Sequence, residues 1–153
     1  MTGTKPADTV FQNYIGGDWT ASSDGRTFEQ RNPANLDEVT GLWPACTAED
    51  AKRAIGAAEA AFPAWRALTV YRRAEYLKKA LGLMADRRDA MARVLTLENG
   101  KTLAESKTEI DAAIREMEFQ INEGLRMGGE QLPSAADGVF AYSSRAPLGV
   151  VSV

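Results

Sequence analysis

The spacing of apolar positions changes twice along this chain. From Phe11 to Pro44, apolar and polar residues alternate in short bursts separated by turn residues. That is the pattern of short, half-buried strands. Phe11 to Trp19 predicts two strands about Gly16-Gly17, a two-residue hairpin signal. Ser22-Ser23-Asp24-Gly25 predicts a turn. Thr27 to Arg31 predicts a strand that halts at Asn32-Pro33, and Glu38 to Pro44 predicts another. The opening quarter therefore reads as a small β-meander. Residues 1–10 carry no such pattern and read as a disordered leader.

From Thr47 onward the spacing becomes helical. Thr47-Ala48-Glu49-Asp50 reads as a capping box, with Thr47 as N-cap and an acid three residues on. Ala51, Ala54, Ile55, Ala58 and Phe62 then recur on one helical face, and Pro63 is expected to end that helix. Trp65 is expected to pack across its end. Thr69 caps a second predicted helix whose inner face holds Ala74, Leu77, Leu81 and Met84. A third, about Arg87 to Asn99, is expected to bury Met91, Val94 and Leu95 and to stop at Gly100. The fourth and longest runs from about Leu103 to Met127. Its stripe is Ile110, Ile114, Met117, Ile121 and Leu125, and Gly128-Gly129 terminates it.

After Pro133 the period returns to two. Val139 to Arg145 predicts a strand, Pro147-Leu148-Gly149 a corner, and Val150 to Val153 the opening of a buried strand. That strand has nothing after it to pair with. The expectation is that the chain is the front part of something larger.

Composition narrows the chemistry. With 44% apolar and 25% charged residues in 153, the chain reads as one ordinary globular domain. No apolar run reaches the ~18–20 residues that span a bilayer. The first residues lack a secretory pattern, and a single cysteine, Cys46, suits a reducing compartment. A cytoplasmic protein is expected. A net charge of -3 with mixed signs argues against nucleic-acid binding. The chain has no histidine, which excludes a Ser-His-Asp triad, a Cys-His pair or a His-ligated zinc within it.

Several phrases, in this order, resemble the N-terminal part of the aldehyde dehydrogenase superfamily. They are Tyr14-Ile15-Gly16-Gly17-Asp18-Trp19, Asn32-Pro33, Thr47 through Ala61 with Phe62 and Trp65, and Arg72-Arg73-Ala74. Leu97-Glu98-Asn99-Gly100-Lys101, Gly128-Gly129 and Pro147-Leu148-Gly149-Val150 follow. Each is weak alone; their order and spacing over about residues 11–153 make the match specific. The resemblance implies an α/β fold: a β-meander, about four helices and the start of an incomplete Rossmann-like sheet. It implies that residues 11–127 belong to the dinucleotide-binding domain. Residues 128–146 would be the first arm of an oligomerisation extension, and 147–153 the start of the first Rossmann-like strand.

The same resemblance implies NAD(P)-dependent oxidation of an aldehyde to a carboxylic acid through a cysteine thioester, in a homo-oligomer with NAD or NADP as cofactor. A semialdehyde is the expected substrate. In the family, the oxyanion asparagine, the ribose-binding residues, the general base and the nucleophile all follow the point matched by Val153. No catalytic or cofactor-binding residue is therefore assigned here, and this chain alone is expected to be inactive and to bind no cofactor. The alternative is a non-catalytic interaction module, or a remnant that pairs with full-length subunits.

Three sets of residues remain as candidates. Glu98 matches an acid that helps hold a monovalent cation in some family members, alongside backbone carbonyls here belonging to Gln30 and Arg31. A solvated helix-end carboxylate is the plainer reading of Glu98. Ala112, Arg115 and Phe119 fall where the family borders its substrate tunnel, and an arginine there suits the distal carboxylate of a semialdehyde acid. A solvated Arg115 is the plainer reading. Cys46 lies before a helix N-terminus, which can lower a thiol pKa, but its place early in the chain favours a structural role. Gly16-Gly17 and Gly128-Gly129 do not read as phosphate loops, and Arg72-Arg73, Lys78-Lys79 and Arg87-Arg88 read as solvent faces.

Overall fold

A computed structural model of the chain describes residues 9–153. Most of the expected leader lies outside the described residues. Its last two residues do not: the Leu42 amide donates to the Thr9 carbonyl (2.9 Å), and Val10 bridges Leu42 in parallel. The chain is thus already ordered before Phe11.

The opening strands form two hairpins and not one continuous meander. Strands β1 (Asn13–Ile15) and β2 (Asp18–Thr20) pair around Gly16 (φ 65°) and Gly17 (φ 99°). Two successive positive φ values are what a tight primed turn requires, and glycine supplies them without strain. Strands β3 (Thr27–Asn32) and β4 (Asn35–Pro44) pair separately, with Phe28 opposite Trp43 and Gln30 opposite Gly41. β4 begins earlier than expected. The Asn32 side chain accepts from the Ala34 amide (2.9 Å) and tightens the Pro33-Ala34 turn, so pairing resumes at once.

The helices are α1 (Ala48–Ala67), α2 (Val70–Asp86), α3 (Arg88–Asn99) and α4 (Leu103–Leu125). Thr47 and Asp50 form the expected capping box, and Thr69 caps α2. Thr102 and Glu105 make a second box at the start of α4. Pro63 does not end α1. Proline removes one hydrogen bond of the helix, and the exposed helix runs on to Ala67. The stop comes at Leu68, where the backbone turns extended. There the Arg73 guanidinium donates to the Leu68 carbonyl (2.5 Å), so Arg73 closes the end of α1 instead of lying in solvent. Trp65 packs against Tyr76 of α2, with ring centroids 6.0 Å apart.

The core lies between α2, α3 and α4, where Ala74, Ala92, Ile110 and Ile121 are buried. The stripe of α4 is as expected, although the helix ends two residues short of Met127, at Leu125. The inner face of α3 is rotated from expectation. Val94 is 53% exposed and Ala92 fully buried, because Ala92 meets α4 where the fully buried Ser106 lies. Thr96 and Ser106 share a 2.8 Å hydrogen bond across the same contact. Small residues let the two backbones come close. Leu77 is likewise more exposed than expected, and the stripe of α1 is open, with Ile55 51% exposed.

After α4, β5 (Gln131–Leu132) and β6 (Ala141–Tyr142) form a short hairpin. The ladder is much shorter than Val139 to Arg145. Gly129 precedes it, and a Cβ there would stand 1.7 Å from the Ser143 carbonyl oxygen. Residues 147–153 make no ladder; a strand needs a neighbour to take up its backbone groups.

Candidate functional site

The first candidate is a groove where the β3–β4 hairpin meets the last turns of α3. It is lined by Phe28, Gln30, Trp43, Leu95, Glu98 and Asn99 and encloses about 400 Å³. Phe28 and Gln30 are two apart on β3 and share a face, with Trp43 opposite Phe28. Leu95, Glu98 and Asn99 are three and four apart on α3 and face them across the groove.

Two features fix this seam. Gly100 ends α3 with φ 79°, and a Cβ there would lie 3.0 Å from the Ala34 amide nitrogen. The absent side chain lets the Asn32–Asn35 turn sit against the helix end. The second feature is a break in register on either side of Arg31. Thr40 is the extra residue on the Gln30 side, and its hydroxyl donates to the Gln30 carbonyl (3.1 Å). Bulges of this kind re-aim backbone groups.

Of the three residues named for a cation, the groove brings together Gln30 and Glu98. Arg31 is not part of its lining. Its guanidinium spans Glu29 (2.5 Å) and the Leu36 carbonyl (2.9 Å). Glu98 makes no ion pair among the described residues, and the last turn of α3 carries no basic residue. A carboxylate at a helix C-terminus sits among carbonyl dipoles of its own sign. The local field there favours a positive charge. Among the described residues, no group of three or more carboxylate, cysteine or histidine side chains could hold a metal ion. Any cation here would rest chiefly on backbone oxygens.

The second candidate is the outer face of α4. Ala112, Arg115 and Phe119 all lie on it and are exposed, Phe119 at 57%. Arg115 makes no ion pair among the described residues. It does contribute to holding the Asp111 carboxyl below its ordinary range, after the larger effect of Arg88.

Arg88, expected on a solvent face, is half-buried. Its guanidinium grips Asp111 through both nitrogen arms (2.5 Å each) and also reaches Asp89 (3.0 Å), so α3 is bolted to α4 at its first residue. Lys107 adds a further bond to Asp89 (3.1 Å). The partners lie 23 positions apart, and no local pattern could have joined them.

Cys46 is exposed, and its sulfur accepts from the Asn13 side-chain amide (3.2 Å). The thiol ties the first hairpin to the start of α1. Neither glycine pair fits a dinucleotide phosphate. Gly16-Gly17 joins two antiparallel strands, and Gly128-Gly129 leads into β5; no helix begins after either one.

This arrangement is α/β, with paired hairpins beside a layer of helices and a short arm after α4. The aldehyde dehydrogenase family matches residues 19–153, and the chain belongs to that family. It is 38% identical over 144 residues to an alpha-ketoglutaric semialdehyde dehydrogenase of Bacillus subtilis, covering 94% of this chain and 30% of that protein. It is 38% identical over 141 residues to an NADP(+) succinate-semialdehyde dehydrogenase of Escherichia coli, covering 92% of this chain and 29% of that one. A solved NAD-dependent aldehyde dehydrogenase from Sinorhizobium meliloti superposes with a TM-score of 0.79 at 25% identity, covering 86% of this chain and 27% of its own. The chain therefore spans under a third of the length of the relatives it matches. Among the described residues, no helix is long and apolar enough to cross a membrane.

Proposed function

We propose that these 153 residues serve as the N-terminal segment of an NAD(P)-dependent aldehyde dehydrogenase that oxidises a semialdehyde acid to a dicarboxylic acid. The observation that carries this reading is the family match over residues 19–153, together with the semialdehyde substrates in the names of the relatives. Residues 11–127 form the layer beside the dinucleotide-binding sheet. Residues 128–146 form the first arm of the oligomerisation extension, and 147–153 form a strand once the rest of the sheet is there to pair with it. The cysteine nucleophile, the base and the cofactor contacts come from the remainder of the enzyme, which is cytoplasmic and homo-oligomeric. Joining this segment to the downstream remainder of a semialdehyde dehydrogenase should give NAD(P)H formation at 340 nm with succinate or malonate semialdehyde. No turnover of any aldehyde by a folded, cofactor-binding fusion would reject the reading.

Within that enzyme, the Ala112–Arg115–Phe119 face of α4 borders the path of the substrate, and Arg115 meets its distal carboxylate. An Arg115→Ala change in the full enzyme should raise KM for a semialdehyde acid about tenfold or more, the scale of a lost charge-assisted bond. It should leave KM for a neutral aldehyde of similar length unchanged. Equal effects on both substrates would remove Arg115 from the path.

The groove at Glu98 holds a weakly bound Na⁺ or K⁺, with the backbone oxygen of Gln30 in its shell. Oxygen-only sites of this kind suit hard cations. Thermal stability should be higher in K⁺ or Na⁺ than in tetramethylammonium at equal ionic strength, and Glu98→Gln should abolish the difference. Equal melting in all three salts would leave Glu98 a solvated helix-end carboxylate.

The β5–β6 hairpin favours a second reading. Leu132, Val139, Phe140 and Tyr142 are all exposed on or beside it. A chain that works as a pairing module would use this surface to join full-length subunits without turnover of its own.

A further inference from the structure

We draw no further inference here: the strongest candidate outside the sites already described, the exposed apolar stripe of α1 around Ile55 and Ala58, carries nothing because no element of the structure shows what covers it.

Discussion

Asp50 shows how much one side chain can organise. It is 2% exposed, yet its carboxylate accepts from the Ser23 amide (3.0 Å), the Thr47 amide (2.8 Å) and the Thr47 hydroxyl (3.0 Å), with Arg53 alongside (3.0 Å). The capping box alone needs only the Thr47 contacts. The bonds to Ser23 fasten the turn between the two hairpins to the start of α1. The Thr47 backbone N–H is the largest influence holding the Asp50 pKa down, from 3.8 to about 2. A lowered carboxyl pKa contributes stability above the unfolded value, and that contribution disappears as pH falls through the folded value. Asp50→Asn should therefore melt below the parent at pH 6, and the gap should narrow between pH 4 and pH 2. A gap of constant size over that range would show that the ionised carboxylate is not the source. Gly100 is the other residue with a single geometric duty. Gly100→Ala would force a left-handed φ on alanine and press its Cβ on the Ala34 amide. The expected loss is more than about 1 kcal/mol in urea unfolding. Gly82 meets nothing within 4 Å and carries no such φ, so Gly82→Ala is the control and should be neutral or slightly stabilising.

The element scale separates what local pattern determines from what it cannot. Thr47, Thr69 and Gly100 are legible as helix boundaries because caps act within one turn of the chain. The α4 stripe is legible because it meets two helices, α2 and α3, along its length. The stripe of α1 has the same periodicity, but α1 packs on little besides β1. Periodicity reports that a face is apolar, not that a partner is present. Pro63 misleads for a related reason: a proline signal is local, while helix α1 is also held at its far end by Arg73 and Trp65. The α3–α4 crossing escapes pattern reading as well, since Ala92 and Ser106 are buried for being small. Ser106→Leu should cost about 1–3 kcal/mol through overpacking. Arg88 and Asp111 fasten the same pair of helices. A double-mutant cycle of Arg88→Met and Asp111→Asn should give a favourable coupling that weakens in 1 M salt, because both groups remain about a third exposed. Additive effects would mean that each residue acts alone.

At the scale of the whole molecule, the balance of covered and uncovered apolar surface governs behaviour. The buried hydrophobic set among the described residues is Ala74, Ala92, Ile110 and Ile121, two of them alanines. Against it stand exposed Tyr14, Trp19, Ile55, Tyr71, Phe119, Phe140, Tyr142, Val151 and others. Burial yields roughly 25 cal/mol per Å² of apolar surface, and this chain leaves much of that surface in water. An isolated 153-residue chain should therefore bind a hydrophobic dye, unfold over a broad temperature range and associate as its concentration rises. The open edges of β5 and β6 give that association a direction, since unpaired strand groups recruit other strands. Light scattering coupled to gel filtration is the measurement: apparent mass should climb between about 1 and 100 μM. Replacing Phe140 and Tyr142 together by Lys should reduce the climb without moving the melting midpoint, as both rings are largely exposed and lie beside each other (5.9 Å between centroids). If the parent chain stayed a sharp monomer at every concentration, its helices would have to be covering one another better than Ile55 and Leu77 allow. The segment would then fold as a self-sufficient domain.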